Sequence, residues 1–215
     1  MKKILLSAAV LLASVVAANA QIGFKVDGNV GFSNFNGDNA KDTKMLIGYR
    51  VGATAEIPFA GEPMSGQFYF APGLTAVSKG AKIETSVVGA TSTATTRLHY
   101  LQVPLQLGAR FQFADNMSVA LQFGPYLSYG LSGNTALKTT VLGVDKTVES
   151  DPFKPVGNLK AGMKRFDAGA TIQAAIEFSN FYAQVGTDFG LVNIANVDKG
   201  SLKNADFFVG LGYRF

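Results

Sequence analysis

Apolar and polar residues alternate with a period of two along eight stretches of the chain: 21–35, 46–58, 67–79, 97–113, 117–132, 165–178, 181–191 and 205–215. In the fourth, Leu101, Val103, Leu105, Leu107, Phe111 and Phe113 share one parity, while Gln102, Gln106, Arg110 and Gln112 share the other. The last sets Phe207, Val209, Leu211, Tyr213 and Phe215 against Phe208, Gly210, Gly212 and Arg214. Successive strand side chains point to opposite faces, so this pattern predicts eight strands with one greasy face each. Every stretch reaches the roughly 9–11 residues a tilted strand needs to cross a bilayer. The connections 36–45, 60–66, 80–96, 114–116, 133–164, 179–180 and 192–204 run alternately long and short. That alternation, with an even strand count, is the signature of an antiparallel, up-and-down transmembrane β-barrel with short turns at one rim and long loops at the other.

Charge placement decides which face meets lipid. A charged residue at the bilayer midplane on the lipid side costs roughly 2–4 kcal/mol. Several would exceed a typical folding free energy of about 5–15 kcal/mol. The charged parity is therefore expected to point inward. There the bases Lys25, Arg50, Arg110, Arg165 and Arg214 meet the acids Asp27, Glu56, Asp167, Glu177 and Asp188 as a lumen charge network. An eight-stranded barrel is only just wide enough for side chains to fill, and buried ions persist only when paired. Balanced charges with interleaved Gln and Tyr thus read as a plug. The alternative reading is a narrow porin-like channel for ions or very small solutes. A soluble lipocalin-like barrel shares the strand count but reverses the polarity, with an apolar cavity inside. Aromatic residues near strand ends, such as Tyr49, Phe68, Phe113, Tyr129, Phe166, Phe178, Phe181 and Phe215, suit interfacial girdles.

The two ends agree with export to a membrane. Met1-Lys2-Lys3 is basic, residues 4–18 are an apolar stretch, and Ala18-Asn19-Ala20 precedes Gln21. That is a signal peptide over residues 1–20, cut between Ala20 and Gln21. The barrel domain then spans 21–215. The chain holds 24 Gly, 17 Phe, 7 Tyr and no Cys, so neither lipidation at the cut site nor a disulfide framework is open to it. Removing Lys2 and Lys3 lowers the formal charge from +4 to +2, which gives no argument for nucleic acid. Gly210, Tyr213 and Phe215 resemble the C-terminal assembly signal of bacterial outer-membrane barrels, with Phe208 standing where a polar residue is usual.

The run Tyr100-Leu101-Gln102-Val103-Pro104-Leu105-Gln106-Leu107 resembles a strand of the PorT-like outer-membrane β-barrel proteins common in Bacteroidota. Later segments, Phe123-Gly124-Pro125-Tyr126-Leu127, Lys164 to Gly169, Phe189 to Ile194 and Gly210 to Phe215, are similar to that family's landmarks. The resemblance implies a Gram-negative outer-membrane barrel with both termini periplasmic, in contact with outer-membrane lipid and lipopolysaccharide, and with the barrel-assembly machinery during biogenesis. It identifies a barrel type and no activity. Its namesake is linked to protein secretion, but Gln102 and Gln106 depart from the family's usual residues, and a secretion role is not carried over.

Catalytic chemistry finds no foothold. The lone histidine, His99, stands at the start of the fourth stretch, and Ser92, Thr93, Thr95 and Thr96 near it form no nucleophile–base–orienter spacing. One His and no Cys make no transition-metal site, and Gly23, Gly28 and Gly31 precede no helix and so form no phosphate loop. The expectation is a non-enzymatic, monomeric, cofactor-free barrel with a structural or interaction role through its outward loops. In the longest loop, 133–164, Lys138, Lys146, Lys154, Lys160 and Lys164 outnumber Asp145, Glu149 and Asp151, which suits an anionic lipid surface. A small hairpin around Gly143 is expected within it.

Overall fold

The computed structural model describes residues 22–215 except 39, 41–42, 63–65, 88–89, 142–143, 156–161 and 197–199. The Ala20–Gln21 cleavage position and residues 1–20 lie outside the described residues. Nine strands are present among the described residues: β1 Gly23–Asn36, β2 Thr43–Ala60, β3 Gln67–Val87, β4 Ala90–Ala114, β5 Met117–Val141, β6 Val144–Ser150, β7 Phe166–Phe178, β8 Phe181–Gly190 and β9 Lys203–Arg214. All pairings are antiparallel. β1 through β5 pair in sequence, β5 pairs β7, and the ring closes through β8 and β9 back onto β1. Eight strands make the barrel. β6 stands outside the ring and pairs only with the far half of β5, from Val141↔Val144 to Thr135↔Ser150.

Closure satisfies the backbone of every wall strand without leaving an edge in hydrocarbon. The last pairs of the seam, Lys25↔Arg214 and Val26↔Tyr213, bring the two chain-terminal strands together. Phe215 N–H extends the ladder by donating to Phe24 O at 2.9 Å. Short connections at 115–116 and 179–180 lie at this same rim, the turn end. There Ser179 takes a positive φ of 54°, and its N–H donates to Asn116 O at 2.8 Å, tying the two turns together. The opposite rim, the loop end, carries the long strands upward.

Large apolar side chains point outward all round the ring, among them Phe24, Phe113, Ile172, Phe178 and Leu211, the last 69% exposed. A water-soluble monomer rarely exposes more than a few hundred Å² of contiguous apolar surface, whereas a barrel wall facing hydrocarbon needs that belt. The aromatic residues expected at the rims, Tyr49, Phe68, Phe113, Tyr129, Phe166, Phe178, Phe181 and Phe215, all face outward.

Two connections continue as sheet. Over residues 80–96, where Ile83, Val87 and Val88 already suit an extension of the third and fourth strands, β3 and β4 run on as a hairpin to Val87↔Ala90. In 133–164 β5 continues to Val141 and turns into β6, so the hairpin expected around Gly143 is present and longer than residues 139–148. The reason is that strands beyond the membrane need no apolar parity. Ser and Thr, whose branched or hydroxylated side chains suit a wet sheet, fill the positions instead. Cross-strand hydroxyl contacts join Ser86 to Thr91 at 3.3 Å and Thr96 to Thr135 at 3.1 Å.

The bulky lumen rings sit directly opposite glycines on the next strand. Tyr69 pairs with Gly108, Tyr126 with Gly169, Tyr182 with Gly212 and Phe208 with Gly186. A Cβ at Gly212 would lie 2.1 Å from Tyr182 Cζ, and one at Gly186 2.5 Å from Phe208 Cζ. Each ring therefore lies flat on the wall only because its partner lacks a side chain. Gly212→Val, which displaces Tyr182, is expected to destabilise the barrel by about 1–3 kcal/mol through overpacking, read as a lowered urea midpoint in unfolding from lipid vesicles; an unchanged midpoint would remove the steric role.

Candidate functional site: the charged lumen

Each inward charge rests on an inward parity of its own strand, so the network is assembled by the ring and by no single segment. At the turn end, Lys25 Nζ lies 2.7 Å from Glu177 and 3.0 Å from Glu56. Arg110 donates through Nε to Glu177 at 2.7 Å, through Nη2 to Glu56, and through Nη1 to Gln67 at 3.1 Å. Ser118 Oγ adds a 2.9 Å bond to Glu177. Arg214, about one-third exposed, approaches Glu56 at 3.5 Å from the open rim.

A second cluster sits toward the loop end. Asp188, fully buried, accepts from Arg50 at 2.8 Å, Gln102 at 3.0 Å and Thr171 at 2.6 Å, and forms an ion pair with Lys79 at 2.9 Å. Asp167 accepts from Asn204 at 2.9 Å and Tyr126 at 3.3 Å, with Lys79 at 4.0 Å. Asp206 faces Asp188 across the β8–β9 pair and lies 3.8 Å from Arg50, yet neither of its carboxylate oxygens finds a hydrogen bond. This cluster holds three acids against two bases.

Between the clusters lies an uncharged belt broken only by Asp27. Gln184 donates to Asp27 at 2.9 Å and to Asn29 at 2.8 Å, Gln173 donates to Gln122 at 2.6 Å, and Gln122 donates to the Tyr69 hydroxyl at 2.9 Å. The cavity left here is about 20 Å³, bounded by residues including Lys25, Arg50, Gln106, Gln122 and Tyr182. That is room for about one water.

Every buried base in the lumen also covers a ring. Lys25 stands 4.4 Å above Tyr182, Arg50 4.3 Å above Phe208, Lys79 4.3 Å above Tyr126 and Arg110 4.9 Å above Tyr69. The layers are thus glycine, ring and cation, read inward from the wall. The ring quadrupole contributes roughly 0.5–2 kcal/mol to each cation, and the ring fills the radius that the glycine vacates.

The loop end is closed by an apolar cap. Phe153, from the segment after β6, joins Val77, Leu98, Tyr100, Ile194 and Leu202 in a buried cluster. The two loops that supply it are pinned by a Met163↔Ala195 bridge and by Lys164 N–H donating to Ile194 O at 2.7 Å.

Nine of the ten predicted charges lie along the lumen: eight within the two ionic clusters and Asp27 in the belt, where it accepts hydrogen bonds from amides. Arg165 does not join them. It sits above the network, donating to Gly130 O at 2.7 Å and Leu131 O at 3.0 Å with its guanidinium 4.9 Å over Phe153. The sheet begins one residue later at Phe166, which frees Arg165 from strand parity. Lys79 and Asp206 are the members that pattern reading missed. Lys79 closed a predicted strand that in fact continues, and its odd parity, shared with Gln67, Tyr69 and Thr75, was the available signal. Asp206 shares parity with Phe208, Gly210 and Arg214. The assembly-signal positions Gly210, Tyr213 and Phe215 lie on β9 and just beyond it. Tyr213 and Phe215 rings touch edge to face at 5.0 Å, and Gly210 gives Asn29 room against the seam. Among the described residues the His99 side chain bonds the Tyr49 hydroxyl, at 3.1 Å, on the outer wall.

A closed antiparallel ring with an apolar exterior and an ion-paired interior defines a transmembrane β-barrel. The chain belongs to the outer membrane protein beta-barrel domain family, whose profile matches residues 13–196. Its place is accordingly the outer membrane of a Gram-negative bacterium. Among solved structures it is similar to Ail, the attachment invasion locus protein of Yersinia pestis, at 13% identity and a TM-score of 0.39, covering 90% of this chain and 98% of that one. It is also similar to Neisserial surface protein A, at 11% identity and a TM-score of 0.43, covering 89% and 97%. Comparison with curated proteins finds no match.

Glu177 anchors two cations, so Glu177→Ala leaves Lys25 and Arg110 sharing Glu56 and is expected to cost about 3–5 kcal/mol, measured by urea unfolding in vesicles. Asp206→Asn removes a carboxylate that faces another across the sheet. It is expected to be neutral or stabilising, and a loss as large as that of Glu177→Ala would refute the assigned imbalance.

Proposed function

We propose that the protein is a non-catalytic, monomeric outer-membrane barrel, closed to solute, whose work is done by the sheet it holds above the membrane. The observation that carries this reading is the filled interior: two ion-paired clusters, a cavity of about one water between them, and an apolar cap over the loop end. A conducting pore needs a continuous wet path, and a narrow porin draws no support from so closed a lumen. Catalysis draws none either, since among the described residues His99 has Tyr49 alone as a side-chain partner.

In this reading the turn end and both termini are periplasmic, because outer-membrane barrels keep short turns on that side. Residues 1–20 act as a signal peptide cut before Gln21, and Gly210, Tyr213 and Phe215 address the chain to the barrel-assembly machinery. The Tyr100–Leu107 motif favours the PorT-like branch of the family. What then faces outward is a rigid sheet of the far halves of β3, β4 and β5, bordered by β6. All seven residues of β6 are exposed, and among the described residues its outer edge has no strand beside it. An unpaired edge is a template for an extended segment of another chain, with Val144 and Val148 offering apolar contacts.

Two measurements test this. The refolded protein in a planar lipid bilayer is expected to be electrically silent, as is its Arg110→Ala variant; steady wild-type channels would overturn the closed-lumen reading in favour of the porin. Replacing residues 133–150 by a short turn is expected to abolish whatever surface attachment the protein confers on cells while leaving insertion intact. Attachment that survives the replacement would sink the role given to this sheet.

A further inference from the structure

The outer wall is not uniform. Where β1, β2 and β3 meet, the outward positions are small, with Gly28, Ala53 and Ala76 in place of the large residues found elsewhere. A groove of about 880 Å³ results, walled by Val26, Val51, Leu74 and Leu101. A Cβ on Gly28 would meet nothing within 4 Å, so the floor is open space.

One outward position further toward the loop end, the same strands change chemistry. Val51 is followed by Tyr49 on β2, Ala76 by Ser78 on β3, and Leu101 by His99 and then Arg97 on β4. The Tyr49 and His99 rings stack at 5.8 Å and 25°, and with the Tyr49 hydroxyl 3.1 Å from Nδ1, no side chain among the described residues engages Nε2 of His99. Arg97 Nη1 donates to Ile47 O at 3.0 Å, and among the described residues no carboxylate pairs with it. The hydroxyl of Ser78, the cross-strand neighbour of His99, is buried without a hydrogen-bond partner. Above stand Lys44 and Lys82, which share the single acid Glu84 at 3.1 and 3.4 Å and hold its carboxyl below the usual range, Lys44 by the stronger hydrogen bond. Three bases and one acid thus overhang an apolar groove that lies in the hydrocarbon zone.

We propose that this is a binding site for a phosphorylated glycolipid of the lipid A type, a reading that rests on the loop end facing outward. Arg97 and Nε2 of His99 take the phosphate, with Lys44 and Lys82 above it, and an acyl chain fills the groove past Ala76, Ala53 and Gly28. The guanidinium fork matches phosphate oxygens in number and direction. Partial burial at the headgroup level strengthens that contact relative to one in water.

The test uses the full mature protein in phosphatidylcholine nanodiscs, titrated separately with lipid A and with phosphatidylglycerol. Retained lipid is counted by native mass spectrometry, and the ring signal of the sole histidine is followed by NMR. One lipid A is expected per protein, with a shift of the His99 signal. Retention is expected to fall about tenfold in the Arg97→Gln/His99→Gln variant, the loss of roughly one charged hydrogen bond. Gly28→Leu, which blocks the groove without touching the basic rim, is expected to weaken retention at an unchanged urea midpoint. Lys154→Gln, on the far side of the cap, serves as the unaffected control. Equal retention by wild type and variants, or equal retention of phosphatidylcholine, would overturn the site. Equal affinity for phosphatidylglycerol would overturn the glycolipid assignment. A disc offers both leaflets to both rims, so these results do not depend on orientation. Protease cleavage of the β5–β6 hairpin on intact cells reports the orientation separately.

Discussion

Hydrocarbon outside the wall leaves a membrane barrel one place for its charges, and in eight strands that place is barely wider than the side chains themselves. The protein meets this constraint with a repeated layering of glycine, aromatic ring and cation, found on Tyr69, Tyr126, Tyr182 and Phe208. The glycine lets the ring lie against the wall, the ring excludes water from the radius, and the cation bridges to carboxylates of strands across the lumen. Without the glycines the rings would stand into the lumen and push the ion pairs apart. Without the carboxylates the cations would be buried unpaired, which a protein of ordinary stability cannot sustain. The same layering recurs at the mouth, where Phe153 lies over Gly130 beneath Arg165.

The interior is in consequence a structural element of the fold. Its two clusters differ in sign: bases exceed acids toward the turn end and acids exceed bases toward the loop end. The excess falls on Asp206, the one acid of the loop-end cluster with no hydrogen bond. The apolar cap above it separates that cluster from solvent. In the proposed role, the loops that pack over the mouth also brace the strands that rise past it.

The outer wall carries a second level of specification. Most outward positions need only be apolar, and a periodic pattern states that requirement in full. The groove beside Gly28 and the basic rim around Arg97 are departures from it: small residues where large ones would serve the membrane as well, and an arginine on the lipid parity. Departures from a local rule without a packing reason are where function is most economically sought.

Strand number, wall polarity, the order of long and short connections and nine of the ten inward charges were legible in the sequence, because a period-two pattern facing hydrocarbon is a one-dimensional code. The places where reading failed share one cause. Beyond the membrane both faces of a sheet are wet and the code lapses, so the extension of β3 and β4 past residue 80 and the hairpin around Gly143 were legible in outline but not in length. Lys79 was lost with that boundary, and Arg165 was counted inward although its strand had not yet begun. Which base meets which acid, which ring covers which glycine, and how the groove forms from β1, β2 and β3 were decided by the closed ring. Register across neighbouring strands brings Glu177 to Arg110 and Asp188 to Arg50 from 67 and 138 residues away, and no local pattern carries that distance.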